Sequence, residues 1–410
     1  MRLAFLTHEP FYPPSGGGSA EALYLVQEMA GRGHEVHVFC PSFPEPDEIG
    51  KRFAAGPGGQ PGGAGLRFHL FTAWPMGRYT SLRNFKYLVY PFFLQRMVER
   101  ASRRVGFDLV LSQHAIAAVA AGRLKRRLGL PVVMNFLDYL TGFLEAWPRY
   151  LAPRGFIRAL ERFELSLPQR HGVDGVMTVS DTLADYFAGA GYPRGRILPI
   201  YYGYDSARFP YAEAPGDGPA PVVVMHGSFD HHHLGAIALE ALRLVARAKP
   251  HVRFRFVGRQ TAALTKFRRR AEATSPGLRI ECTGFVPYAE MARHLATATV
   301  GIVPYEESTG THCAFVAKIV EYLGVGRPAV STPLKSARRY FGDEPAVRFS
   351  EFDGESFARQ VIGWLDEPLD LRLKLGRAAS QRVQAALDWG AIARKAVDFV
   401  EKTRQQQGPA

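Results

Sequence analysis

Lys318 and Glu321 stand three residues apart in KIVEYLG, so on a helix they share one face. A carboxylate so placed can accept two vicinal hydroxyls, as on a ribose, and an ammonium beside it can neutralise a phosphate. The same spacing also makes an ordinary surface ion pair worth only about 0.3 kcal/mol, and spacing alone leaves both readings open. Upstream lies Phe11–Gly18, FYPPSGGG. Its glycines let the backbone approach a ligand, and a helix start beyond it offers free amides and the positive dipole end to an anion. It is not a GxGxxG fingerprint, and a tight turn without function fits it too. His231–His233 are consecutive, so on a helix they point around the circumference and not at one metal ion. A solvated helix start, or help with a diphosphate, is the expectation there. No Ser-His-Asp, metal-ligand or carboxylate-pair constellation stands out elsewhere.

These residues sit in an alternation of short apolar runs and helix-length segments. Arg2–Thr7 reads as a buried strand, then a Pro/Gly loop, then a helix from about Ser19 to Arg32. Glu35–Cys40, Arg67–Phe71, Asp108–Ser112, Val132–Phe136 and Val176–Val179 are further strands. Such alternation predicts a parallel sheet with helices on both faces. Residues 41–65 are Pro/Gly-rich and read as a loop, and Tyr211–Pro221 (YAEAPGDGPAP) as an interdomain linker. Beyond it the pattern restarts with Val222–Met225, Arg253–Val257, Arg279–Cys282, Val300–Val303 and Ala329–Ser331. A helix is read over Cys313–Leu323 with Thr311 as its cap, stopped by Gly324 and Gly326 before Pro328. Two amphipathic helices, Asp370–Leu387 and Gly390–Arg404, close the chain.

At 410 residues the chain suits two domains, residues 1–210 and 219–387, with a last helix near 388–405 packing back on the first. Three scattered cysteines, Cys40, Cys282 and Cys313, argue against a disulfide framework and suit a reduced cytoplasm. The start MRLAFLTHEP turns polar too quickly for a signal peptide, and no apolar run reaches the roughly 18 residues of a membrane span. The balance is basic, 51 Lys+Arg against 38 Asp+Glu for a net +13. Basic runs recur in Gln95–Arg104, Lys125–Arg127 and Lys266–Arg270, without any nucleic-acid fold signature. No nucleic-acid partner is expected. The stretch Asn84–Arg104 (NFKYLVYPFFLQRMVERASRR) is aromatic at one end and basic at the other, as in segments that rest on anionic membranes. The alternative is a helix packed on the sheet by Tyr87, Tyr90 and Phe93.

The order of blocks resembles the retaining GT-B glycosyltransferases, specifically family 4 (glycosyl transferases group 1). Its members begin with a strand, then yPP-x-x-GG and a helix ending in L-x-x-RGHeV; here FYPPSGGGSAEALYLVQEMAGRGHEVHVF stands in that place. GFDLVLSQH, VMTVSDTLADYF and ILPIYYGYDSARFP continue the likeness, and VRFRFVG, IECTGFVPYAEM and KIVEYLGVGRPAVST extend it through residue 335 or so. The resemblance implies two Rossmann-like doubly wound parallel-sheet domains facing a central cleft. It further implies transfer of a hexose from a nucleotide-sugar, UDP-sugar favoured over GDP-sugar, to a hydroxyl acceptor. Anomeric configuration would be retained, with no metal and no cofactor beyond the donor.

Carried over residue by residue, Glu321 matches the carboxylate that binds the nucleotide ribose, and Lys318 the lysine three residues before it. Gly17 and Gly18 match the glycine pair facing the donor phosphates and sugar. Thr283–Val286, with Gly284 and Phe285, matches the loop whose backbone reads the base. The turn through Thr311, His312 and Cys313 matches the one presenting amides to the diphosphate and sugar. Cys313 departs from the pattern, since it replaces a glutamate that usually holds a sugar hydroxyl. The block that usually carries Arg and Lys on the pyrophosphate reads HGSFDHHHLG, placing Ser228 there with neither cation; His231–His233, Arg259 or Lys318 are the substitutes. The acceptor-side histidine position, five residues after Asp108, is Gln113, and a one-residue bulge would restore His114. Asp138 resembles an aspartate that approaches the acceptor in several relatives, and otherwise reads as a cap or loop residue. His114, Asp138 and Lys318 are thus the catalytic candidates. The acceptor is a glycan, a lipid-linked sugar or a small molecule, and the expected place of action is the cytoplasm, peripheral to the inner membrane face. A GT-B-type nucleotide-sugar epimerase and a degenerate, non-catalytic sugar-nucleotide binder stand as alternatives.

Overall fold

Strand-forming, β-branched and aromatic runs buried on both faces build the frame. The computed structural model describes residues 1–14, 17–54, 65–72, 85–146, 153–213, 220–275, 277–287 and 290–407. The chain divides into two units: Met1–Leu140 with Arg158–Tyr201 and Trp389–Ala410, and Thr141–Ile157 with Tyr202–Asp388.

In the first unit, β1 (Arg2–Leu6), α1 (Gly17–Gly31), β2 (Glu35–Pro41), α2 (Pro46–Ala54), β3 (Leu66–Phe71) and α3 (Phe85–Ser102) form one half. The other half holds β4 (Leu109–Gln113), α4 (His114–Leu128), β5 (Val132–Phe136), and α5 (Leu140–Phe143) and α6 (Arg154–His171), both shared with the second unit. It closes with β6 (Gly175–Thr178), α7 (Asp181–Gly189) and β7 (Ile197–Pro199). The strands form one seven-stranded sheet in the order β3-β2-β1-β4-β5-β6-β7, parallel throughout. Leu3, Ala4, Phe5 and Leu6 are fully buried, as an inner parallel strand demands.

The second unit runs β8 (Val222–His226), α8 (Ala236–Ala248), β9 (Arg253–Val257), α9 (Ala262–Thr274), β10 (Ile280–Cys282) and α10 (Met291–Ala296). Then come β11 (Val300–Val303), α11 (Thr309–Cys313), α12 (Ala317–Gly324), β12 (Ala329–Ser331), α13 (Lys335–Phe341), β13 (Val347–Phe349), α14 (Gly354–Asp366) and α15 (Leu369–Ala386). Its six-stranded parallel sheet is ordered β10-β9-β8-β11-β12-β13. Both units are therefore doubly wound Rossmann-like folds, as expected.

The last helix, α16 (Trp389–Gln405), belongs to the first unit and packs on α1. Trp389 stacks on Tyr24 at 5.1 Å, and Arg32 bonds Asp398 (2.6 Å) and Glu401 (3.0 Å).

Several local expectations are corrected. Part of the 41–65 stretch is α2, opened by Pro46 with Asp47 and Glu48 at its positive end. β7 and β13 were not foreseen; each has three residues at a sheet edge and takes its ladder from one neighbouring strand. The single helix read over 313–323 is two, α11 and α12, parted by Ala314–Val316. The break buries Phe315 against Tyr340 (5.0 Å) and Phe341 (5.6 Å), and that packing overrides helix continuity. His231–His233 form a turn ahead of α8, not a helix start. The start of the expected linker is packed, with Tyr211 lying on Gly326 and the Ala212 carbonyl accepting from Arg327 at 3.0 Å; residues 214–219 lie outside the described residues.

Candidate functional site

In doubly wound sheets the ligand crevice opens at the carboxyl ends of the strands where strand order reverses. In the second unit that point lies between β8 and β11. β8 ends in His226, and the chain turns at Gly227 with φ +102°. A side chain on Gly227 would stand 3.0 Å from Lys318 Cε, and one on Gly258 would strike the Gly227 carbonyl at 2.2 Å. Glycine is required at both, because the ends of β8 and β9 and the α12 lysine crowd together.

Glu321 is buried and held from two sides. His226 Nε2 bonds Oε2 at 2.5 Å, and the Tyr202 hydroxyl donates to Oε1 at 3.2 Å. Burial keeps the His226 imidazole below its ordinary range against the pull of the carboxylate, so a neutral ring donates through Nε2. Its Nδ1 then has no hydrogen-bond partner among the described residues. Two bonds leave a carboxylate with lone pairs for two more donors. Lys318 does not pair with Glu321. Its ammonium donates to Tyr305 Oη at 2.7 Å and approaches His233 Nε2 at 3.5 Å. The helix-face ion pair that spacing allowed is absent among the described residues, because each side chain has its own partners.

The turn around α11 differs from expectation. Ser308, not Thr311, caps α11, and Thr311 completes a reciprocal capping box. The Thr309 amide donates to Glu145 at 2.7 Å. His312 is engaged as well: its Nδ1 accepts from the Lys335 amide (3.3 Å) and its Nε2 donates to Glu307 (3.2 Å). Cys313 is fully buried at the end of α11. The open helix start is that of α12, where Val316 supplies no side-chain cap.

Nor do His232 and His233 replace the missing cations as charges. His232 is pushed down to about 3 by burial and by the Lys318 and His231 charges, and burial, His232 and Lys318 hold His233 well below its ordinary range. Lys318 and Arg259 are the cations at this edge. Arg259 follows the close-packed Gly258 and lies 5.5 Å over the ring of Phe285, which is 59% exposed. Gly284 bridges to Gly258, and Ser228 is exposed just beyond Gly227.

In the first unit the reversal lies between β1 and β4. Gly17 opens α1, and a side chain on Gly18 would meet His114 Nε2 at 2.8 Å and Glu9 Oε2 at 3.1 Å. The Gln113 side chain donates to the Gly18 carbonyl at 2.8 Å. His114 adopts φ +68°, a left-handed conformation costing about 1–2 kcal/mol for a non-glycine residue. At this kink in the β4–α4 junction both the His114 imidazole and the side chain of the counted position, Gln113, reach Gly18. One turn further along α1, buried Glu21 accepts from Asn135 Nδ2 at 2.5 Å. Burial, reinforced by the Asp138 charge, pushes its carboxyl up to about 8, so it is neutral at pH 7. Asp138 lies in the loop after β5. The first turns of α1 thus bring Gly18 against His114 and Glu21 against the Asn135–Asp138 corner.

His226, Tyr202, Tyr305 and Glu21 were not singled out from sequence. The available signal was position: polar residues at strand ends or helix starts beside a reversal of strand order.

Residues 16–203 match the model of the glycosyl transferase 4-like domain, and residues 220–367 that of the glycosyl transferases group 1. No curated protein matches the chain significantly. Among solved structures it is similar to sucrose-phosphate synthase from Thermosynechococcus elongatus, with TM-score 0.77, 17% identity and 98% of each chain covered. It is also similar to Anabaena HepE in complex with UDP-glucose (TM-score 0.71, 16% identity, 98% of this chain and 100% of that). WaaG, a glycosyltransferase involved in lipopolysaccharide biosynthesis, aligns with TM-score 0.64 at 15% identity, covering 97% of this chain and 99% of that. The chain is a glycosyltransferase of GT-B architecture.

Proposed function

We propose that the protein transfers a hexose from a nucleotide-sugar, a UDP-sugar before a GDP-sugar, to a hydroxyl acceptor with retention of configuration and without a metal. The observation that carries this is Glu321: a buried carboxylate, oriented by His226 and Tyr202, beside an ammonium engaged elsewhere. The free lone pairs of Glu321 suit the two ribose hydroxyls. Lys318, Arg259 and the uncapped start of α12 supply positive charge for the diphosphate, and stabilising that departing group is the main catalytic work. Preorganised charge of this kind fits a reaction whose leaving phosphate takes the acceptor proton. In the first unit, His114 and Asp138 serve the acceptor. HepE, which shares the fold, was solved with UDP and with UDP-glucose, in keeping with such a donor. The acceptor is a glycan, a lipid-linked sugar or a small molecule, met in the cytoplasm.

A panel of nucleotide-sugars, assayed for nucleotide release with and without a cell-lipid extract, tests the reading. Release with one UDP-sugar, persisting in chelator and lost in Glu321→Ala, is expected. Conversion of the donor without release would indicate an epimerase, and nucleotide binding without turnover a non-catalytic binder; either sinks the proposal.

A further inference from the structure

The first unit carries a second feature that the transferase reading does not use. α3 packs on α4 and buries Pro91, Leu94 and Val98, yet the adjacent Phe92 and Phe93 are 44% and 46% exposed. Sequence left open that Tyr87, Tyr90 and Phe93 all pack inward. Tyr90 does so, Phe93 faces solvent, and the Tyr87 side chain lies outside the described residues. Arg96 lies 4.3 Å over the Phe92 ring, and Arg100 follows it one turn further along α3. Beside this edge a groove of about 540 Å³ runs between α3 and α4, lined by Phe92, Arg96, Glu99, Arg123, Arg126 and Arg127.

Four guanidinium groups there face one carboxylate, an excess of three positive charges. The carboxylate is already engaged. Against the effect of burial, hydrogen bonds from Gln95 and Arg127 hold Glu99 ionised below its ordinary range, at 2.8 and 2.9 Å. The surplus reaches α6, whose His171 packs on Gly122 of α4; burial and the charges of Arg126, Arg170 and Arg123 keep that ring below its ordinary range. α6 repeats the pairing of arginine and exposed aromatic, with Arg170 5.2 Å over Phe163.

Exposed aromatic rings beside clustered arginines match the two layers of a bilayer interface, acyl boundary and phosphate. A soluble phosphate would have no use for the two phenylalanines. We infer that the α3–α4 face of the first unit docks on an anionic membrane surface, lipid phosphates entering the arginine groove and Phe92 and Phe93 entering the headgroup–acyl boundary. No helix among the described residues is long and apolar enough to cross a membrane, so the attachment is peripheral.

The test is co-sedimentation of the full chain with phosphatidylcholine vesicles, pure or containing about one-third phosphatidylglycerol. Binding only to the anionic vesicles, released by salt, is expected. Arg123→Gln with Arg126→Gln should weaken it about fivefold per arginine. Phe92→Ser with Phe93→Ser should weaken it further at every salt concentration. UDP affinity should be unchanged in both variants, so this result and the failure of the donor reading are separable. Equal binding to pure phosphatidylcholine, or undiminished binding by the arginine variant, overturns the inference. So does displacement by millimolar inorganic phosphate, which would make the groove a soluble-anion site, or tighter binding to an oligonucleotide than to vesicles.

Discussion

Single residues set the local chemistry, and two of them give sharp expectations. At Gly18 a methyl group would press on a candidate catalytic side chain, His114. The nearest atoms to its added carbon would be the far ends of His114 and Glu9, at 2.8 and 3.1 Å. Gly18→Ala should therefore melt within a few degrees of the parent yet lose about tenfold or more in turnover, through displacement of His114. Unchanged turnover would remove His114 from the reaction. Glu21 gives a stability signature. Its folded pKa of about 8 lies above the unfolded value near 4.5, so between them the native state holds a proton that the unfolded chain has lost. Stability should then fall as pH rises through that window, by an amount on the order of a few kcal/mol, and level off beyond it. Denaturant titrations across this range should show a shallower decline for Glu21→Gln. An identical pH slope would mean that Glu21 is ionised in the fold.

At the scale of elements, α16 joins the two ends of the first unit's sequence. Trp389 is buried against Tyr24, and Ala396, Val397 and Val400 are buried along the same helix. Trp389→Ala should cost roughly 3–5 kcal/mol, read as a lowered melting temperature of the first unit. A loss under about 1 kcal/mol would mean that the helix is not part of that core. This element was legible in sequence because α16 carries an apolar stripe at helical spacing, and the strands of both sheets were legible as continuous apolar runs. The edges were not. Three-residue β7 and β13 exist because a neighbouring strand supplies their hydrogen bonds, which no local pattern records. The α11–α12 break was hidden because Phe315 packs against residues of α13, more than twenty positions away. Within the candidate site, Lys318 and Glu321 were legible through their frame. His226 was not, because its bond to Glu321 spans 95 residues. The missing Arg and Lys of the family pattern suggested the histidine run as a substitute; burial keeps His232 and His233 from carrying that charge.

For the whole molecule, two doubly wound units divide the work by chemistry. The second unit brings an oriented carboxylate, two cations and an uncapped helix start to the end of its sheet, as a nucleotide diphosphate requires. The first brings a kinked histidine, a neutral buried carboxyl and an arginine-rich face. The net charge of +13 adds a long-range attraction for both a phosphorylated donor and an anionic surface, and salt should weaken each. In the function proposed above, Glu321 grips the donor through its nucleotide. Calorimetric titration of the full chain with UDP, repeated on Glu321→Ala, tests it most directly. UDP should bind the parent and bind the variant at least about tenfold more weakly, since one hydrogen-bonded charged group is worth some 1.5–3 kcal/mol. Equal affinity of parent and variant, both folded, would contradict it.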